Sequence, residues 1–206
     1  MKYIIILILG WTAQTCFCQQ RFPQYKIGDT AFCGIVFFVE NLDSTSNTGR
    51  QRGLVCAPED QHAGIQWFNG TYITTVAIQD HLYAKGNADT IIMQQGAGSY
   101  AAQIANDYHP DSLCSSWYLP SRTELLLLYT NIARNNNVAI KRRGKFKNEG
   151  YWSSLEDRPD STNNIPPGQR KGFIVDFLNG RTFAVNKANK FRVRAVRVFR
   201  NDRRNF

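Results

Sequence analysis

Cysteine is scarce in this chain, histidine is scarcer, and long apolar runs are confined to one place. The 206 residues hold five cysteines and three histidines. Cys16 and Cys18 lie close to the start, so Cys33, Cys56 and Cys114 are the cysteines of the remainder. That scarcity excludes a disulfide-stapled miniprotein, and the odd count leaves at least one thiol unpaired within the chain. No CxxC pair occurs, and His62, His81 and His109 lack zinc-ligand spacing, so no metal is expected. A GxSxG nucleophile elbow, a Walker loop and a dinucleotide fingerprint are equally absent. No internal repeat or low-complexity linker divides the chain.

The one strongly apolar run stands at the start. Lys2, the segment Tyr3 to Trp11 (YIIILILGW), and Thr15, Cys16 and Cys18 before Gln19 match the charged, apolar and small-residue regions of a signal peptide. Cleavage after Cys18 is expected. Residues 1–18 then form the signal peptide and 19–206 a single exported domain, whether periplasmic, on the cell surface or secreted. The run is about half of the ~20 residues that cross a bilayer, so no transmembrane anchor is expected. Lipidation is the competing reading, but neither Ala13-Gln14-Thr15 nor Thr15-Cys16-Phe17 makes a lipobox.

Charge is unevenly spread. Residues 1–140 carry 8 Lys/Arg against 10 Asp/Glu, whereas residues 141–206 carry 17 against 6. So basic a final third implies an acidic partner or surface.

Hydrophobic patterning indicates an α+β domain. Residues 34–39 (GIVFFV) and 53–57 (GLVCA) read as buried strands joined in a hairpin by NLDSTSNTGRQR. Cys33 and Cys56 flank that hairpin at matching ends, which predicts a Cys33–Cys56 disulfide and a buried free Cys114. Residues 99–108 and 122–134 read as helices. The second opens with Ser121 and Glu124, an S-x-x-E capping box after Pro120, and Leu125 to Tyr129 mark it as a core element. Strands are expected at 150–155 and 172–178, with Asn179-Gly180 as a two-residue turn into 181–185. Ile174, Asp176, Leu178, Arg181, Phe183 and Val185 then share one face. Residues 192–199 read as a last strand whose alternation breaks at Ala195-Val196, which suggests a bulge or a strand with mixed cover. Helices followed by antiparallel strands place the chain in the α+β class.

An ordered set of motifs adds to this reading. It comprises YKIGDTAFCGIVFFV (25–39), GLVCAPEDQ (53–61), Trp67, GNADT (86–90), Ala101-Ala102, WYLPSRTEL (117–125), YWSS (151–154), Phe177 with Asn179-Gly180, Lys187, and VRAVRVF (193–199). The set resembles the bacterial Lcl C-terminal-domain-like family, which is similar in architecture to C-type-lectin-like domains. The resemblance spans residues 25–199 and implies two helices packed on antiparallel β-sheets. Where the family shows a glycine-rich step, this chain has Ala31-Phe32-Cys33-Gly34. The motif residues read mainly as structure: Trp117, Leu119, Trp152 and Phe177 as core, Pro120 and Ser121 as a helix start, Arg194 and Arg197 as partners of buried carboxylates.

Catalysis is not expected, and neither is a cofactor. Among lectin-like folds the formylglycine-generating enzymes are catalytic, and that relationship implies reactive cysteines late in the chain; here the last is Cys114. Adjacent Glu156 and Asp157 read as loop surface. Asp157, Asp160, Asn163 and Asn164 read as a solvated loop rather than a calcium site. Binding remains. The polar loops 156–171 (EDRPDSTNNIPPGQRK) and 186–192 (NKANKFR) supply the candidate ligand residues Arg158, Asn163, Asn164, Arg170, Lys171, Asn186, Lys187, Asn189, Lys190 and Arg192. Arginine grips sulfate, phosphate or carboxylate through paired hydrogen bonds, and asparagine amides both donate to and accept from hydroxyls. That mixture suits an anionic glycan or cell-surface polymer, as in adhesion, and the resemblance implies such ligands for some relatives. The alternative is a retroelement-diversified lectin-like protein whose late loops bind a surface protein. KRRGKFK (141–147) reads as a solvated loop or a contact for acidic cell-surface polymers, since export argues against a nucleic-acid target.

Overall fold

The structure is a computed structural model that describes residues 21–43, 48–71, 79–157 and 170–202. The expected signal peptide, 1–18, lies outside them, as do Arg158, Asn163 and Asn164. Among the described residues no helix is long and apolar enough to cross a membrane.

The described strands form two sheets. One has the order β1 (Thr30–Ala31), β2 (Gly34–Asn41), β3 (Gln51–Cys56), β9 (Val196–Arg200). The other runs β4 (His62–Ile65), β8 (Phe191–Val193), β5 (Gly150–Glu156), β6 (Lys171–Asp176), β7 (Thr182–Asn186). All pairings are antiparallel except β5 with β8. The helices are α1 (Lys85–Gln95), α2 (Ala101–Asn106), α3 (Arg122–Leu128) and α4 (Val138–Gly144), with a π-helical turn at Tyr129–Ala133 continuing α3. The α+β class holds.

Helix α3 joins the layers, touching β2 of one sheet and β5 and β6 of the other. It buries Leu125 and Leu128, three apart and so on one face. Its capping box forms: the Glu124 N–H donates to Ser121 Oγ (3.1 Å) and the Ser121 N–H to Glu124 Oε2 (2.8 Å). The buried Glu124 carboxylate also accepts from the Tyr118 hydroxyl and the Ala84 N–H. Burial still pushes its pKa up. Just upstream, Tyr118 exchanges main-chain hydrogen bonds with Val196, and the Ser154 N–H donates to Pro120 O (2.7 Å). WYLPS thus clamps β9 and β5 from one short segment. Trp67, Trp117 and Trp152 are fully buried, and each indole N–H reaches a carbonyl, of Ser153, Cys114 and Ile65 respectively. Each buried donor is therefore satisfied.

Several local expectations are corrected. The disulfide joins Cys33 to Cys114, with Cα atoms 6.2 Å apart, and Cys56 is the free buried thiol. The register explains why: Cys56 lies opposite Ile35, whereas Cys33 has already left the ladder in the turn between β1 and β2. The expected two-residue turn is a five-residue connection, Phe177–Arg181, with Ile174 opposite Phe183 and Val175 opposite Thr182. Phe177 leaves the sheet for the core, its ring 4.4 Å from that of Tyr151 and 5.5 Å from that of Tyr129. The pairing differs from the expected one by two residues, and an even shift leaves each side chain on its face. Thus Ile174 and Phe183 still share one. The last strand is not bulged but divided: β8 and β9 belong to different sheets, and Arg194-Ala195 makes the crossing. Its main chain stays bonded there, with the Ala57 N–H on Ala195 O (2.9 Å) and the Ala195 N–H on Gln61 Oε1 (2.6 Å). Finally, KRRG of KRRGKFK is the second half of α4, capped by Asn137, rather than loop.

Candidate functional site

The roots of the two late loops come together. The Asp157 N–H donates to Lys171 O (2.8 Å) where β5 ends and β6 begins, and Lys171 pairs with Asn186 across β6 and β7. After β7 the chain turns tightly, with the Asn189 N–H on Asn186 O (3.0 Å) and the Ala188 N–H on Asn186 Oδ1 (2.8 Å). Arg170, Lys171, Asn186 and Asn189 therefore share one end of the five-stranded sheet. Lys171, Asn186 and Asn189 are exposed; Arg170 is half-buried, and its buried Nε has no hydrogen-bond partner among the described residues. Lys190 lies further along, beside Gly64 of β4.

A cleft of about 470 Å³ adjoins this end, lined by Gln79, Asp80, Arg122, Leu155, Glu156, Asp157 and Phe173. Arg122 pairs with Asp80 (2.7 Å) and lies over the Phe173 ring, 5.2 Å from its centroid. Asp80 also accepts from the Thr123 N–H, which fixes it to the start of α3. The cleft presents one cation, Arg122, three carboxylates and the Phe173 ring, with Asp80 paired to Arg122 and Glu156 to Lys187. Among the described residues no group of three or more His, Cys, Asp or Glu side chains is placed to hold a metal ion.

Two expected ligand residues do not belong to this surface. Lys187 is fully buried, with Nζ 2.5 Å from Glu156 Oε1 and 4.4 Å from the Trp67 ring centroid. Burial lowers its pKa, Glu156 opposes that shift, and the nearby Arg170 charge adds to it. Glu156 is thus the counterion of a core lysine rather than loop surface. Arg192 lies near the opposite end of β5, opposite Tyr151, bound to Glu149 (2.9 Å) and Asp60 (3.0 Å). Loop composition does not separate Lys187 from Lys190, but the motif set contains Lys187 alone, among residues that read mainly as structure.

Sequence reasoning did not single out Asp60 as the centre of a second cluster. Arg194 pairs with Asp60 (2.6 Å), donates to the carbonyls of Ala57 and Gly144, and stacks over Phe146. The Tyr151 hydroxyl also donates to Asp60; burial pushes its pKa up to about 12, so it stays protonated. Arg194 thus finds the expected carboxylate, while Arg197 donates to Phe32 O instead. Beside this cluster Pro58, Glu59, Asp60, Gln61, Ile104, Asp107 and Tyr108 line a cleft of about 590 Å³. It is the larger of the two clefts, but Asp60 is taken by two arginines, Glu59 by Lys145 (2.6 Å) and Asp107 by Gln103, so its polar wall is already satisfied from within. The chain matches no protein-family model, and no curated protein matches it.

Proposed function

We propose that this chain is an exported, non-catalytic ligand-binding domain of the Lcl C-terminal-like, C-type-lectin-like kind, which recognises an anionic glycan or cell-surface polymer where its late loops meet. One observation carries the reading: the Lys171–Asn186 pairing sets an exposed cation beside an exposed asparagine, with the half-buried Arg170 next to them. A sulfate or carboxylate would accept from Arg170 and Lys171, and sugar hydroxyls would bond the asparagine amides. The α+β architecture, with helices against antiparallel strands, agrees with such a fold.

The test is titration with a sulfated polysaccharide at low and high salt, comparing wild type with the double variant Arg170→Glu, Lys171→Glu. Lys187 stays untouched because reversing a core charge would unfold the domain. Binding is expected to weaken as salt shortens the screening length, which is about 8 Å at physiological ionic strength, and to be lost in the folded variant. Equal binding by both proteins at both salts refutes the reading. Salt-tolerant binding to a protein surface favours the diversified-loop alternative.

A further inference from the structure

Among the described residues, the densest group of exposed cations is not at the late loops. Lys141, Arg142, Arg143, Lys145 and Lys147 lie exposed on α4 and the segment after it, and Arg134 precedes them. The turn that carries Lys26 packs on the same helix: Arg143 Nη1 donates to Gly28 O (2.6 Å), and the Ile140 side chain covers Gly28. No aspartate or glutamate occurs between Glu124 and Glu149. Of the carboxylates nearest this face, Glu59 is engaged by Lys145 and Glu149 by Arg192, and Asp29 accepts from the Lys26 N–H (2.8 Å). Lys26, Arg134, Lys141, Arg142, Arg143 and Lys147 make no ion pair among the described residues. A favourable interaction with the helix C-terminus accounts for Lys141 to Arg143, but not for Lys26, Arg134 or Lys147.

This face is separate from the late-loop site. The α4 end is held at the start of β5: Arg194 donates to Gly144 O, the Lys147 N–H donates to the Tyr151 hydroxyl oxygen, and Phe146 packs on Tyr151. Lys171 stands by the far end of the same strand. Gly150–Glu156 spans roughly 20 Å at about 3.3 Å per residue.

Val138 shares a side of α4 with Lys141 and Arg142, three and four residues on, whereas Ile27 adjoins Lys26 in the turn packed on the Ile140 and Arg143 side. Val138, the first residue of α4, is 58% exposed, and Ile27, next to Gly28, is 39% exposed. Cations around an exposed aliphatic group match a surface with anionic groups outside and hydrocarbon beneath. A soluble polyanion would engage the cations but gain nothing from Val138. We propose that the α4 face docks on an anionic phospholipid bilayer, with Arg134, Lys141, Arg142 and Lys147 on the headgroups and Val138 entering the interface.

The test is co-sedimentation with vesicles of phosphatidylcholine alone or mixed with phosphatidylglycerol. Variants are the triple Lys141→Glu, Arg142→Glu, Lys147→Glu, the single Val138→Ser, and Lys171→Glu as a late-loop control. Near-ultraviolet circular dichroism checks the fold, and Lys141→Ala, Lys147→Ala replaces the triple variant if that spectrum is lost. Wild type is expected to bind the mixed vesicles and not the neutral ones. The triple variant should lose about a hundredfold or more in affinity, while Lys171→Glu should leave vesicle binding unchanged. Val138→Ser should weaken binding to vesicles but not to a soluble sulfated polysaccharide. Equal binding to both vesicle types, no binding to either, or full binding by the triple variant overturns the proposal. If Val138→Ser has no effect and the polysaccharide displaces the vesicles, the face binds polymers rather than membranes.

Discussion

Phe32 and Cys33 have φ of 53° and 62°, the left-handed region that glycine enters most easily. They are the two central residues of the β1–β2 hairpin turn, between the paired Ala31 and Gly34, where positive φ at both positions matches the strand twist. Side-chain contacts hold them there. Phe32 stacks on Phe199 at 4.5 Å and meets Tyr25 at 4.8 Å, and Cys33 is tied to Cys114. Here tertiary contacts hold a conformation that glycine adopts most easily. Cys56 behaves in the opposite way, as a core side chain. Burial pushes its thiol up to about 11, with Arg194 opposing the shift. Its thiolate is therefore scarce at pH 8. In native protein the Cys56 peptide should stay unlabelled by iodoacetamide at that pH, then react once urea exposes it. Labelling of folded protein at the rate of a free thiol would contradict the placement.

At the scale of elements, the buried Lys187–Glu156 pair links the turn after β7 to the end of β5. Removing one partner of such a pair leaves a charge in the core, which costs about 3–5 kcal/mol, whereas replacing both with apolar groups is close to neutral. Lys187→Met should therefore lower the urea midpoint strongly, and adding Glu156→Leu should restore most of it. A single variant as stable as wild type would mean that the pair is solvated. The elements differ in how far local sequence announced them. The start of α3 was legible because a capping box is built from residues three apart in one chain. The end of α4 was not: KRRG has no apolar periodicity, and Gly144 is buried against Ile132 and Phe146, which sequence order does not place together.

For the whole molecule, the Cys33–Cys114 bond connects the first hairpin to the segment entering Trp117, across a sequence separation of 81 residues. Cross-linking a long loop restricts the unfolded chain, and losing such a bridge costs about 2–5 kcal/mol. Cys114→Ser should reduce unfolding free energy by that amount in a denaturant titration. Non-reducing peptide maps of wild type should show Cys33 linked to Cys114. A Cys33–Cys56 peptide would refute the arrangement of the hairpin described above.

By itself the sequence determined the α+β class, the β2–β3 hairpin, the start of α3 and the aromatic core, because these follow from the spacing of apolar residues and from local capping. It also determined which side chains share a face of β6 and β7, since a period of two survives an even register shift. Only the tertiary structure decided which cysteines meet, which lysine is buried, where the last strand changes sheets and which cations make no ion pair among the described residues. Each of those depends on residues far apart in the chain. Asp60 meets Arg192 and Arg194, and Glu156 meets Lys187, only after strands distant in sequence have paired. Charge spacing along a loop carries no record of that pairing, so Lys171 stands open to solvent while Lys187, from a similar polar segment, neutralises a carboxylate in the core.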